Sequence, residues 1–248
     1  MAIQKRTYVD FLGMPEPEVH LAHANGGTGV AAGTDNSKNQ WMFANGACLE
    51  AWNGEASALI VPVKVAGVGI DIPLDAVSND AMEILVADSI NSTGPCFTVG
   101  TDAAFRVDVK IKLDDVSDYD VCSVGFRKQA AFVDDLTDTA GWKTAYTDMA
   151  ALSSTSGDVY IYHSLNGADA EVDTTINLTD GDTFTFSVLV SAAGVVTYEL
   201  NGMSPAVGSY TTLAQTFDDG DVVIPFFYGI GAATGDPVTL VSWFSGHQ

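Results

Sequence analysis

After about residue 57, apolar and polar positions alternate with a period of two along much of the chain. The clearest run is "AFRVDVKIKLDD". Phe105, Val107, Val109, Ile111 and Leu113 fall on one side, and Arg106, Asp108, Lys110 and Lys112 on the other. That period predicts a half-buried strand of an antiparallel sheet. "TFTFSVLVS" places Phe184, Phe186, Val188 and Val190 inward in the same way. "SALIVPVKVAG", "CFTVG", "VCSVGFRK", "DVYIYHSL", "VVTYEL", "DVVIPFFYGIG" and "PVTLVSWFSG" continue the series, while "AMEILVADS" reads as strand or short helix. Helical texture appears in "GWKTAYTDMAALSS", residues 141–154, which predicts a short helix or an irregular loop. There is no alternation of strand and helix, which argues against a parallel sheet. Many short strands with turn residues between them predict a sandwich or barrel.

Residues 1–56 have a different texture. "MPEPEVHLAHANGGTGVAAGTDNSKNQWMFANG" is rich in Gly, Asn, Ala and Pro and has little periodicity. The expectation is therefore an irregular N-terminal arm, residues 1–56, followed by a β-sandwich domain, residues 57–248. Lys5 and Arg6 lie together in a chain otherwise poor in basic residues. The arm is either a docking segment for an acidic neighbour or an extension packed on its own domain.

Composition narrows the function classes. The 248 residues carry 32 acidic against 10 basic side chains, a net charge of −22. A nucleic-acid binder needs a basic face to neutralise phosphates, and an anionic membrane surface selects for the same feature. Both partners are therefore set aside. Three cysteines, Cys48, Cys96 and Cys122, form no CxxC pair, and an odd number leaves no complete disulfide set. The start of the chain lacks an apolar signal-peptide core, and no run approaches the length of a membrane span. Synthesis in a reducing cytoplasm is the expectation.

From residue 95 to 246 the order of elements resembles the concanavalin A-like jelly-roll family, which includes legume-type lectins, laminin-G domains and one class of glucanases. The resemblance is carried by "LTDGD" leading into "TFTFSVLVS", a turn at Gly194, "VVTYEL", then Asn201-Gly202, and finally "VVIPFFYGIG" and "VTLVSWFSG". It implies an all-β fold, an antiparallel β-sandwich of two bent sheets. The fold serves binding, catalysis and scaffolding alike. A second resemblance is one of style. Acidic, Lys-poor and Cys-poor jelly rolls without a signal peptide are similar to bacteriophage structural proteins, especially capsid decoration or cement proteins.

Catalysis finds weak support. The glucanases of this fold take their carboxylates from one strand as E-x-D-x-x-E, and hydrolysis with retention needs two of them about 5 Å apart. "EVDTTI" supplies Glu171 and Asp173, but Ile176 stands at the third position. His20 and His23 have no third zinc ligand, His163 ends a strand, and "GGTGVAAG" lacks the strand and the lysine of a phosphate-binding loop. Calcium is the best small-ligand idea, at "DDGD" (218–221), "TDGD" (179–182) or "DDVSDYD" (114–120), where carboxylates gather around turns. β-Turns explain the same residues, and no catalytic, cofactor or metal residue is assigned. For sugar stacking, Trp142 is the favoured exposed tryptophan. Trp243 is expected in the core, and Trp41 and Trp52 suit packing of the arm.

The resulting expectation is a non-enzymatic virion structural protein. It is made in the host cytoplasm and decorates a capsid by binding the major capsid protein. The resemblance implies a homo-oligomer, such as a trimer at a symmetry axis. The alternative is a lectin-like carbohydrate-binding module.

Overall fold

The computed structural model describes residues 6–10, 37–42, 48–53, 63–72, 81–87, 96–129, 137–138, 141–142, 146–166, 168–205, 215–231 and 238–248. Their strands are numbered here along the chain: β1 Arg6–Asp10, β2 Ser37–Met42, β3 Cys48–Asn53, β4 Val63–Val65, β5 Gly69–Ile72, β6 Ala81–Ala87, β7 Phe97–Thr98, β8 Phe105–Lys112 and β9 Tyr119–Lys128. They continue with β10 Thr137–Asp138, β11 Gly141–Trp142, β12 Met149–Thr155, β13 Asp158–Leu165, β14 Ala168–Asn177, β15 Thr183–Val190, β16 Val196–Leu200, β17 Val222–Gly231 and β18 Val238–His247.

The strands make two large antiparallel sheets, a β-sandwich of the jelly-roll type. A seven-stranded sheet runs β16-β15-β8-β18-β5-β4, with β1 also paired to β18. A nine-stranded sheet runs β14-β13-β12-β9-β17-β6-β3-β2, with β7 also paired to β17, and β10 and β11 form a small separate pair. Alternation decides which side chains meet between the large sheets. Val107, Val109, Ile111, Phe186, Val188 and Trp243 come from one sheet, and Val124, Phe126, Leu152, Ile161 and Phe227 from the other; all are fully buried. Phe105 links the two layers: its ring stacks on Phe97 at 4.5 Å and meets Phe126 edge-on at 5.1 Å. Such pairs add roughly 0.5–1.5 kcal/mol to the area they bury.

The β15–β16 hairpin shows why particular residues are needed at its turns. Gly194 has φ +83°, and a Cβ there would lie 2.3 Å from the Phe217 carbonyl oxygen, so only glycine fits. At the other end of β16, Asn201 and Gly202 take φ +53° and +77°. Leu200 and Met203 exchange backbone hydrogen bonds of 2.8 and 3.0 Å around them. This is the two-residue turn for which Asn-Gly is the preferred pair.

Two expectations are corrected. Residues 1–56 are not simply an irregular arm: β1 pairs along β18, and β2 and β3 pair with each other and with β6. These strands have only five or six residues, too few for periodicity to announce them, and their partners come from distant sequence. The described residues of 141–154 contain no helix; they hold β11 and most of β12. β12 lies between β9 and β13 and is buried from Met149 to Ser154. A strand buried on both faces reads as a continuous small-apolar run, which periodicity cannot tell from a buried helix. Residues 81–87, left between strand and helix, are the strand β6.

Candidate functional site

The two large sheets present different outer faces. On the nine-stranded sheet the outward positions of β6, β9, β12 and β17 form a second apolar cluster, with Leu85, Val121, Tyr146, Met149, Ala151, Ile224, Phe226, Tyr228 and Ile230 all buried. An ion pair is sealed within this layer. Arg127 donates from Nε to Glu83 Oε2 at 2.7 Å and from Nη2 to Oε1 at 2.5 Å. The two side chains are 2% and 0% exposed. Tyr146 donates its hydroxyl to Glu83 at 3.2 Å, and its ring lies 4.5 Å from the Arg127 guanidinium carbon. Burial opposes the charge on Arg127, but the Glu83 carboxylate outweighs it and holds the guanidinium's pKa above its ordinary value. Such a pair orients strands and is closed to ligands.

Among the described residues, the outer face of the seven-stranded sheet is open. Strand register sets one straight row across five strands: Tyr8 on β1 opposite Phe244 on β18, then Asp108 on β8, Ser187 on β15 and Glu199 on β16. At about 4.8 Å per strand the row spans about 19 Å. Tyr8 is 64% exposed and Phe244 is half-buried, so the row begins with an aromatic ledge. Arg106 lies over its far end. It donates to Asp108 Oδ1 from Nε at 2.8 Å and from Nη2 at 2.5 Å, and reaches Glu199 at 3.6 Å and the buried Ser187 hydroxyl at 3.4 Å. The adjacent row carries Asp10, Ser242, Lys110 and Thr185. The face thus combines exposed aromatic carbon with a planar, hydrogen-bonded ionic lattice.

The residues singled out in the sequence lie elsewhere. Glu171 and Asp173 are exposed on β14, at the edge of the nine-stranded sheet. Val159 pairs with Ile176 and Tyr160 with Asp173, so Thr174 and Thr175 form a bulge. Asp173 accepts from the Thr175 amide at 2.6 Å, and Thr174 donates to the Val159 carbonyl at 2.7 Å. The bulge turns Ile176 toward the main core, against which it packs. The third position of the glucanase pattern is therefore turned away from Glu171 and Asp173 as well as lacking an acid. Burial, followed by the carboxylates of Asp158, Asp173 and Glu171, raises the pKa of Tyr160 beside them.

The acidic turns have local partners. Asp115 caps the short 3₁₀ turn Val116–Asp118 by accepting from Ser117 N and Oγ, and these bonds lower its pKa. Asp180 accepts from the Val116 amide at 3.0 Å. In "DDGD", Asp221 accepts from the Asp218 amide at 3.1 Å and from Lys128 Nζ at 2.6 Å. The same Nζ lies 3.4 Å from Asp148, whose other oxygen takes the Asn166 amide at 3.0 Å. Lys128, its pKa raised first by the hydrogen bond to Asp221, is thus the cation among these carboxylates. No group of three or more metal-ligating side chains stands together among the described residues.

His163 is buried on β13, and His247 is buried with Nε2 3.6 Å from Asp102. Trp243 is in the core as expected; Cys122 is also in the core, and burial pushes its thiol well above the ordinary pKa. Trp41, Trp52 and Trp142 hold positions in β2, β3 and β11. His20, His23, Lys5 and "GGTGVAAG" fall outside the described residues. Tyr8 and Phe244 were missed by sequence reasoning. With Trp243 inward, the period of two already puts Phe244 outward; Tyr8 had no comparable signal because its strand lay in the presumed arm.

No protein-family model matches the chain, and no curated protein matches it by sequence. Solved structures do match in fold. A protein of unknown function from Shewanella oneidensis MR-1 is 14% identical, with 99% of this chain and 87% of that chain covered and a TM-score of 0.51. The carbohydrate recognition domain of Emp46p in its metal-free form is 9% identical, with 79% and 87% covered and a TM-score of 0.50. A galectin from Caenorhabditis elegans is 13% identical over 63% of this chain and 92% of its own, but its TM-score of 0.37 carries no argument. At these identities the likeness establishes the lectin-like sandwich fold alone.

Proposed function

We propose that the chain is a lectin-like carbohydrate-binding module whose ligand lies along the open face of the seven-stranded sheet. The observation that carries this reading is the row Tyr8–Phe244–Asp108–Ser187–Glu199, with an exposed aromatic at one end and the Arg106 lattice at the other. The axial C–H groups of a sugar ring pack on an aromatic face, while its hydroxyls need donors and acceptors fixed in a plane. Arg106 is fixed by two carboxylates and supplies such donors. The fold shared with a carbohydrate recognition domain is consistent with this use and does not locate a site. The capsid-decoration reading rests on composition, and no feature of the described fold favours it.

The test is a glycan array followed by titration calorimetry. Wild-type binding should weaken about tenfold in Tyr8→Ala, the scale of a lost aromatic contact of ~1.4 kcal/mol. Trp142→Ala should bind like wild type. Unchanged binding in the Tyr8→Ala/Phe244→Ala double variant would move the site elsewhere, and a wild-type protein that binds no glycan would refute the reading.

A further inference from the structure

Of the five Lys and Arg residues whose side chains are described, four are neutralised internally. Arg106 faces Asp108 and Glu199, Arg127 faces Glu83, Lys128 faces Asp221 and Asp148, and Lys112 pairs with Asp114. Lys110 is the fifth: among the described residues it has no carboxylate within ion-pair distance. The chain carries 32 acidic side chains against 10 basic ones, so a cation not already paired with its own carboxylates is available to an acidic ligand. Its place is equally specific. It sits half-buried on β8, outward on the open face, between Ser242 of β18 and Thr185 of β15. It is in the row next to Phe244 and Asp108.

We infer that Lys110 receives an acidic group of the ligand, and that the glycan is one carrying isolated uronic-acid residues on an otherwise uncharged chain. This rests on the reading of the open face as a carbohydrate site and adds a ligand class to it. The aromatic ledge takes an uncharged ring, and Lys110 takes a carboxylate from a neighbouring ring. A continuous polyuronate does not fit. The net charge of −22 repels a polyanion over about 8–10 Å in ordinary buffer, the Asp108 and Glu199 carboxylates line the adjacent row, and Asp10 stands in the row of Lys110 itself. One carboxylate at Lys110 satisfies the local charge; several meet repulsion.

The experiment uses the full chain and a panel of oligosaccharides. Each neutral member is matched by the same chain bearing one uronic acid and by an all-uronate oligomer of equal length. Wild type should bind the singly acidic member about five- to tenfold more tightly than the neutral one, the gain of a single half-exposed ion pair. Lys110→Met should abolish that difference and leave neutral binding unchanged, whereas Lys112→Met, whose lysine is already paired, should preserve it. Circular dichroism melts confirm that both variants fold. Added salt should strengthen binding of the all-uronate oligomer as repulsion is screened.

Equal affinity for neutral and singly acidic chains would overturn the inference while leaving the carbohydrate reading intact. So would a Lys110→Met variant that loses both equally. A change in sedimentation coefficient of Lys110→Met without ligand would also overturn it, because Lys110 would then be meeting an acidic loop of a second copy. Failure of every glycan to bind would sink the carbohydrate reading itself.

Discussion

On β8 of the seven-stranded sheet, burial alternates strictly from Phe105 to Lys112, whereas β17 of the nine-stranded sheet is buried without a break from Val223 to Gly231. Both strands sit centrally in antiparallel sheets and face the same core. They differ in what lies outside. β8 turns Arg106, Asp108, Lys110 and Lys112 toward water, while β17 turns Ile224, Phe226, Tyr228 and Ile230 into a second apolar cluster with a sealed ion pair beside it. One sheet therefore keeps a polar, partly exposed outer face among the described residues, and the other spends both faces on stability. The sheet with the more legible sequence pattern is also the one whose outer face stays polar, because alternation is what an exposed face leaves behind.

The contrast can be broken most sharply at the sealed ion pair. Arg127→Met strands the Glu83 carboxylate in a dry layer and should destabilise the fold by about 3–5 kcal/mol in denaturant unfolding. The double variant Arg127→Met/Glu83→Leu should recover most of that loss. A single variant costing under about 1 kcal/mol would mean that water reaches the outer face of the nine-stranded sheet. Next in size is Phe226→Ala, outward on that sheet, expected to cost about 3–5 kcal/mol by leaving a cavity. The matched outward change on the other sheet, Thr185→Ala, should stay within about 0.5 kcal/mol. Similar costs at the two positions would remove the distinction between the faces.

A smaller effect is expected at the loop end, where Lys128 stands among Asp148 and Asp221. Its side chain is 42% exposed, so solvent screening keeps the expected cost of Lys128→Met below about 1 kcal/mol. The pH dependence follows from the direction of its shift. The folded-state pKa lies above the ordinary lysine value of 10.5, so this stabilisation is complete below pH 10.5 and fades as pH rises through the folded value. Wild type should lose more stability than Lys128→Met across that alkaline window. Because the cation is the chain's own, EDTA should leave the melting temperature unchanged; a fall on chelation would restore calcium to these turns.

Much of the sandwich was legible from residues. β8, β13 and β15 follow from period two and turn residues, and Asn201-Gly202 marks the turn that ends β16. β12 was not legible, since burial on both faces erases alternation, and β1 to β3 were not because short strands gain their meaning from partners far along the chain. The candidate site divides in the same way. Arg106, Asp108 and Lys110 were visible as the polar side of β8, but their junction with Tyr8 depends on a pairing between the two ends of the chain. The acid-rich motifs attracted chemical readings that their local bonding does not sustain: Asp173 holds a bulge, Asp115 a cap and Asp221 a lysine.

The most direct measurement is a backbone amide chemical-shift titration of the full chain with a glycan selected from the panel. The account predicts that saturable shifts concentrate at Tyr8, Asp10, Arg106, Asp108, Lys110, Ser242 and Phe244, with the β13–β14 edge around Tyr160 and Asp173 unmoved. Shifts confined to that edge, or to the loop around Asp218 and Asp221, would contradict the claim that the open face of the seven-stranded sheet is the binding surface.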